Sequence, residues 1–257
     1  VFHLNTTIGK DFTVDQLFDD GFDAIFMGTG TGVPKRLDIP GASHPAVRQA
    51  IRFLRRVSLS ENGYIDRGEV IGNGDRVFVV GCGNTAIDAA RTALRMGSAE
   101  VTVVYHRTID HMKALRAEYD DAVAEGVKFL WNTSITRIEA LDDKHLKSVT
   151  LTSTDGTEEV RPADHVVMAV GSAPASRIVD STDGIDVDDH GYVLTRENPY
   201  GMTSRKGVFA GGDVSGRPAT VVHAMRDAKM VAEGIARYVD AIKLLEAIGG
   251  GKPDTKD

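Results

Sequence analysis

Hydrophobic positions along this chain form two alternating patterns. Short unbroken apolar runs end in glycine, and longer stretches repeat apolar residues at three- and four-residue spacing. The first pattern predicts buried strands and the second amphipathic helices. Asp23-Ala24-Ile25-Phe26-Met27 ends in Gly28-Thr29-Gly30-Thr31-Gly32, and Arg76-Val77-Phe78-Val79-Val80 ends in Gly81-Cys82-Gly83. Asp164–Val170 ends in Gly171, and Val208-Phe209-Ala210 ends in Gly211-Gly212-Asp213. Further strands are expected at Phe2–Asn5, Val101–Tyr105 and Val127–Leu130. Alternation over Ile135–Ala140, Leu146–Ser153 and Thr157–Val160 predicts a small antiparallel layer that turns at Asp155-Gly156.

Helical spacing is expected in five places. A short helix carries Leu17 and Phe18, and a second covers Ala46–Arg56 through Val47, Ile51 and Leu54. A third opens after Gly83, continues through Ala90, Ala93 and Leu94, and stops at Gly97. A fourth passes through Met112, Leu115, Tyr119 and Val123 to Gly126. The longest runs from about Thr220 to Ile248 through Val221, Met225, Met230, Ile235 and Val239. Pro34, Pro40, Gly41 and Pro45 punctuate a connecting segment, and Glu61–Gly74 reads as a loop. Val187, Tyr192 and Val193 sit among acidic and Gly-rich residues. The tail 249–257 is polar and Gly-rich, which predicts disorder.

The strand at Arg76–Val80 runs directly into G-x-G-x-x-A, and the motif opens a helix. Gly81 allows a tight turn, Gly83 removes the Cβ where a pyrophosphate would approach, and Ala86 lets helix and strand pack closely. Helix N–H groups and the positive end of the helix dipole, at Gly83, Asn84 and Thr85, then face the phosphates. Strand before and helix after is the context that gives this motif its meaning. A site for NAD usually carries an acidic residue about twenty residues on, at the end of the second strand. Here Val101–Tyr105 is followed by His106-Arg107-Thr108, without a carboxylate. A guanidinium there suits a 2′-phosphate, so NADP(H) is expected rather than NAD(H), with His106 as an additional donor when protonated. The alternative is that Arg107 is a solvated arginine and His106 an ordinary loop histidine.

Composition narrows the remaining classes. A chain of 257 residues can bury one large or two modest cores, and 42% hydrophobic content is ordinary for a folded protein. No apolar run approaches the roughly 18 residues a membrane span needs. Val1–Gly9 is strand-like without a basic start, so no secretory leader is expected. The formal net charge of −7 argues against nucleic acid as a partner. The single cysteine, Cys82, excludes an internal disulfide and a C-x-x-C pair, and fits a cytoplasmic location. Cys82 is expected to be a passive small residue of the turn, although a nearby helix N-terminus can lower a thiol pKa. The histidines show no ligand spacing, so no metal site is expected. Asp88 reads as a dipole-favouring carboxylate, and Asp110, Glu118, Asp120 and Asp121 as a solvated face. The chain starts at Val1 rather than Met, which suggests a piece of a longer protein.

The order of these features resembles the pyridine nucleotide–disulfide oxidoreductase superfamily, and within it the small-subunit family of NADPH-dependent glutamate synthase. Similar proteins include the NADPH-binding part of dihydropyrimidine dehydrogenase and a subunit of a ferredoxin:NADP oxidoreductase. The matching residues are Gly21–Gly30, Val79–Ala93, Tyr105-His106-Arg107, Glu125-Gly126-Val127 and Gly207–Asp213, spread over nearly the whole chain.

The resemblance implies an α/β fold in which a Rossmann-like NAD(P)H-binding domain is inserted in part of an FAD-binding domain. The expected divisions are 1–73 (partial FAD-type domain and connection), 74–171 (NAD(P)H domain), 172–248 (remainder of the FAD-type domain) and the tail 249–257. It implies pyrophosphate binding at Gly81, Gly83, Asn84, Thr85 and Ala86, and a 2′-phosphate at Arg107. It also implies FAD contacts at Asp213 beside Gly212, and at the helix start Thr220 and Val221. Gly30 and Gly171 end the strands on either side of the inserted unit. The family's first dinucleotide motif and its cluster-ligating cysteines would lie upstream of Val1, so the FAD site is expected to be incomplete in this chain. Lys113 stands where many relatives have proline. The implied function is NADPH-dependent flavoprotein electron transfer to an iron–sulfur or catalytic partner subunit. No side chain is assigned a catalytic role, neither nucleic acid nor membrane is expected as a partner, and oligomerisation is left open. A nucleotide-binding module without independent turnover is the alternative.

Overall fold

The computed structural model describes residues 1–66 and 71–249. In chain order its first elements are α1 (Val14–Asp19), β1 (Ile25–Met27), β2 (Val33–Pro34), β3 (Val47–Gln49) and α2 (Ala50–Glu61). Then come β4 (Arg76–Val80), α3 (Asn84–Arg95), β5 (Glu100–Val104), α4 (Arg116–Glu125) and β6 (Lys128–Leu130). Three strands follow, β7 (Thr133–Ala140), β8 (Leu146–Ser153) and β9 (Glu158–Pro162), and then β10 (His165–Met168) and β11 (Ser172–Ala173). The chain closes with α5 (Arg177–Asp180), β12 (Val208–Ala210) and α6 (Val221–Ala247). Two compact units divide it, one of Pro34–Gly171 and one of Val1–Val33 with the residues from Ser172 onward.

The Pro34–Gly171 unit is built on a five-stranded sheet in the order β3-β10-β4-β5-β6. Every neighbouring pair in it is parallel. From β4 the chain steps outward to β5 and β6, then returns through β10 to the opposite side of β4. The strand order therefore reverses beside β4, and open α/β sheets bind ligands at the carboxyl ends of strands at such a point. Both faces of β4 are covered, which explains its unbroken apolar sequence. Val77 and Val79 pack with Phe53, Ile87 and Ala90 of the helical layer. Phe78 and Val80 pack with Ile135, Ile138, Val149 and Leu151 of the antiparallel layer β7-β8-β9. That layer turns at Asp155-Gly156, where the Gly156 N–H donates to the Ser153 carbonyl.

The other unit pairs β1 with β12 in parallel, Ile25 opposite Val208 and Met27 opposite Ala210. Val14, Met27, Ile185, Val208 and Val214 form one small core, and Met202, Phe209 and Val231 another. Gly234 lets α6 lie against the Tyr200 backbone, where a Cβ would collide with the carbonyl. Buried Arg205 pairs with Asp15 and donates to the Asp183 carbonyl. Among the described residues no helix is long and apolar enough to cross a membrane.

Several sequence expectations are displaced. Ala46–Arg56 is predicted as one helix, but Val47–Gln49 pairs with Val166–Met168 as the edge strand β3, and the helix starts at Ala50. A main-chain ladder to β10 overrides local helix spacing there. β3 and α2 fall in the same compact unit as β4. Phe2–Asn5 is not a strand, and Phe2 and Leu4 are exposed. The fourth helix begins at Arg116 rather than near Met112, with Gly126 left-handed at its end. Residues 67–70 of the expected loop and 250–257 of the expected tail lie outside the described residues.

Candidate functional site

The glycine turn after β4 gives its two glycines different work. Gly81 has φ +117°, and a Cβ there would collide with the Ala169 carbonyl at the end of β10. Its N–H donates to the Val104 carbonyl at 3.0 Å. Gly81 is therefore needed for conformation and for close passage between strands. Gly83 has an extended φ of −100°, and a Cβ there would meet no protein atom within 4 Å. The position is open, as a site for an approaching phosphate requires. Gly83 caps α3 without a side-chain hydrogen bond, Asn84 and Thr85 are exposed, and Ala86 is fully buried against the sheet. The first turn of a helix leaves N–H groups without intrahelical acceptors, and here that turn stands beside the open position. Cys82 is buried, and burial pushes its thiol up to about 11. It is a protonated small residue whose carbonyl accepts the N–H groups of Lys113 (3.0 Å) and Ala114 (3.1 Å).

The segment after β5 lies beside this turn, because β5 is the parallel neighbour of β4. His106 and Arg107 are both exposed, and among the described residues the Arg107 guanidinium has no hydrogen-bond or ion-pair partner. The loop carrying them is ordered by its own bonds. Tyr105 donates its hydroxyl to the His111 carbonyl at 2.9 Å, and the Thr108 hydroxyl meets His111 Nδ1 at 2.9 Å. Asn84 Oδ1 accepts the Leu115 N–H at 3.0 Å. Gly81, Gly83, Asn84, Thr85, Ala86, His106 and Arg107 thus gather at the carboxyl ends of β4 and β5. Gly171 follows β10 with φ +93°, and its carbonyl accepts the Lys35 N–H at 3.0 Å.

Helices α3 and α4 are stapled by charges that the sequence reading leaves in solvent. Arg91 pairs with Glu118 (2.6 Å), Asp121 (3.2 Å) and Glu125 (2.8 Å), and Arg95 also pairs with Glu125. Hydrogen bonds from Arg91 and Arg95 hold the Glu125 carboxyl at about 2. Glu118 and Asp121 therefore belong to an interhelix network, and the four-residue spacing of Arg91 and Arg95 is the sequence signal for it. Asp88 is raised above the usual carboxylate range, first by partial burial and then by Glu118. Lying beyond the first turn of α3, it does not have the dipole-stabilised character expected of it.

In the other unit, Gly30 and Gly212 both have positive φ, +61° and +73°. Asp213 is half-buried in a 3₁₀ turn over Gly212–Ser215, and its carboxylate has no partner among the described residues. Thr220 caps α6, its hydroxyl accepting the His223 N–H, and Val221 is exposed at the helix start. Asp227, absent from the sequence expectations, organises this region. It is 3% exposed, accepts from the Gly212 N–H (2.9 Å) and the Tyr200 hydroxyl (3.0 Å), and forms an ion pair with Arg217 (3.1 Å). Arg217 also lies over the Tyr200 ring, 4.8 Å from its centroid. Asp227 and Val231, four residues apart, lie on the packed face of α6. No group of metal-ligating side chains occurs among the described residues.

A reversed parallel sheet with a glycine turn opening onto a helix defines a dinucleotide-binding class of α/β protein. The family model for pyridine nucleotide-disulphide oxidoreductases matches residues 3–228, and the chain belongs to that family. It is similar to the glutamate synthase [NADPH] small chain of Halomonas elongata, 33% identical over 259 residues, covering 93% of this chain and 54% of the relative. The Escherichia coli protein of the same name is 31% identical over 261 residues, covering 93% and 55%. The chain thus spans about half the length of these curated relatives. Among solved structures, T. acidophilum thioredoxin reductase shares the fold, with a TM-score of 0.69 over 85% of this chain and 66% of that one, at 24% identity.

Proposed function

We propose that the chain is the NADP(H)-binding and FAD-contacting part of an oxidoreductase resembling the glutamate synthase small chain, delivering electrons to an iron–sulfur or catalytic partner. The observation that carries this reading is the division of labour between Gly81, which the fold requires, and Gly83, whose open side the fold does not use. The donor set around it suits an anionic dinucleotide. The start of α3 at Gly83, Asn84 and Thr85 would hold the pyrophosphate, with Ala86 keeping the helix close, and Arg107 with His106 would hold the 2′-phosphate. Gly30, Gly212, Asp213, Thr220 and Val221 would supply part of a flavin site, with Asp213 free to accept from a ribityl hydroxyl. Gly171 would close the nucleotide-binding unit. Bound NADPH and FAD supply the hydride chemistry, so the protein's task is alignment and electrostatics. The positive end of α6 at Thr220 favours negative charge nearby.

The test is calorimetric titration of NADPH and NADH against the wild-type chain and Arg107→Ala. Preference for NADPH in the wild type, lost in the variant, supports the reading. Equal loss for both nucleotides shows that Arg107 serves the fold or the pyrophosphate. A second reading, a nucleotide-binding module without turnover, is favoured by the small extent of the β1-β12 sheet, which has two strands. NADPH-dependent reduction of an artificial acceptor with added FAD separates the two.

A further inference from the structure

We propose that Asn84 is a positioning residue for cofactor choice, acting by holding the loop that carries Arg107. This rests on the NADP(H) reading above. An exposed arginine on a loop has wide rotamer freedom, so its power to select a 2′-phosphate depends on how firmly its backbone is placed. Here the loop from Tyr105 to Leu115 is fixed at both ends. Its near end is held by the Asn132 N–H donating to the Arg107 carbonyl at 3.1 Å and by the Thr133 N–H donating to the Tyr105 carbonyl at 3.0 Å. Its far end is held by the glycine turn itself, through the Cys82 carbonyl and through Asn84 Oδ1. Asn84 makes the one side-chain bond between that turn and the loop among the described residues. An amide nitrogen cannot accept, so the Leu115 N–H fixes the Asn84 amide with its oxygen toward the loop. Leu115 is also the residue preceding α4, and it has no side-chain cap of its own. The Asn84 bond therefore joins the first residue of α3 to the N-cap residue of α4. The proposed pyrophosphate turn and the proposed 2′-phosphate reader become one body.

The experiment measures the ratio of NADPH to NADH affinity by calorimetry, which cancels any effect on the pyrophosphate that both nucleotides share. Five proteins are compared: wild type, Asn84→Ala, Asn84→Asp, Arg107→Ala and the Asn84→Ala/Arg107→Ala double variant. Asn84→Ala lowers the ratio about three- to tenfold, as expected for loss of one hydrogen bond that orders the loop. Asn84→Asp keeps an acceptor for the Leu115 N–H, so it retains the ratio while both affinities fall together beside the phosphates. In the Arg107→Ala background, Asn84→Ala changes the ratio no further, because the two act through one loop. The proposal is overturned if Asn84→Ala weakens both nucleotides equally, leaves both unchanged, or still lowers the ratio without Arg107. If the wild type itself shows no preference for NADPH, the underlying reading falls and this one with it. Asn84 is exposed, so both single variants are expected to fold. If Asn84→Ala does not, Asn84→Asp still decides: a lowered ratio despite its acceptor overturns the proposal.

Discussion

The two units of this chain satisfy their backbones and cores in different ways. In Pro34–Gly171 five parallel strands are sandwiched between a helical layer and an antiparallel layer. In the other unit β1 and β12 pair in parallel over three residues. Most of the exposed large hydrophobic residues belong to this second case, including Phe22, Phe26, Val222 at 74% and Met225. Parallel sheets ordinarily have both faces covered. The comparison teaches where each unit keeps its specificity. The sandwiched unit leaves an open position at Gly83, a glycine without positive φ at the start of α3, whereas the other unit places a buried polar centre, Asp227, against the Gly212 N–H.

The strongest way to break this comparison is to exchange the roles of the two glycines. Gly81→Ala forces a positive-φ alanine into the Ala169 carbonyl and is expected to cost about 3 kcal/mol or more, read as a lower denaturation midpoint. Gly83→Val is expected to abolish NADPH binding while circular dichroism remains native, because the open position is not used in packing. Normal NADPH binding by folded Gly83→Val would remove the dinucleotide assignment. Next in size is Arg107→Ala, expected to weaken NADPH about ten- to hundredfold and NADH hardly at all, the scale of a charge-assisted hydrogen bond. The contrast sharpens on the flavin side: the 257-residue chain, purified, is expected to carry little tightly bound FAD. A stoichiometric flavin band in its visible spectrum would show that Gly212, Asp213 and the start of α6 suffice.

The smallest effect concerns acid. Glu125 titrates ordinarily near 4.5 and in the fold at about 2. A depressed carboxyl contributes stability above its ordinary pKa and loses that contribution as pH falls from about 4.5 toward 2. Arg91→Leu removes its first partner, so denaturation curves of wild type and variant should converge over that range. The difference at neutral pH should shrink with added salt, since the network lies at the surface.

What the sequence shows and what it hides follows the range of the interactions. The glycine turn is readable because Gly81, Gly83 and Ala86 lie within six residues and each has a local geometric reason. The place of Arg107 is readable for the same cause, three residues past the end of β5. β3 is missed because its strand character comes from a ladder to Val166–Met168, far along the chain, and its own residues have helix spacing. The Asn84–Leu115 bond joins residues 31 positions apart, and no periodicity announces it; the Arg91–Glu125 pair spans 34 positions, and only the four-residue spacing of Arg91 and Arg95 hints at it. Asp227 is hidden differently: an acid on a long, charge-bearing helix looks solvated until Gly212, Tyr200 and Arg217 are seen to surround it.

The hydrogen bond from the Lys35 N–H to the Gly171 carbonyl has a consequence for how such a chain can be assembled. It joins the two ends of the Pro34–Gly171 unit, so that the unit begins and finishes at one place. A unit whose ends meet adds almost no loop-closure cost to a host that accepts it between two neighbouring positions. Such a unit is a portable cassette. Joining its ends with a short linker, or opening it elsewhere by circular permutation, would require no rethreading of the polypeptide around it.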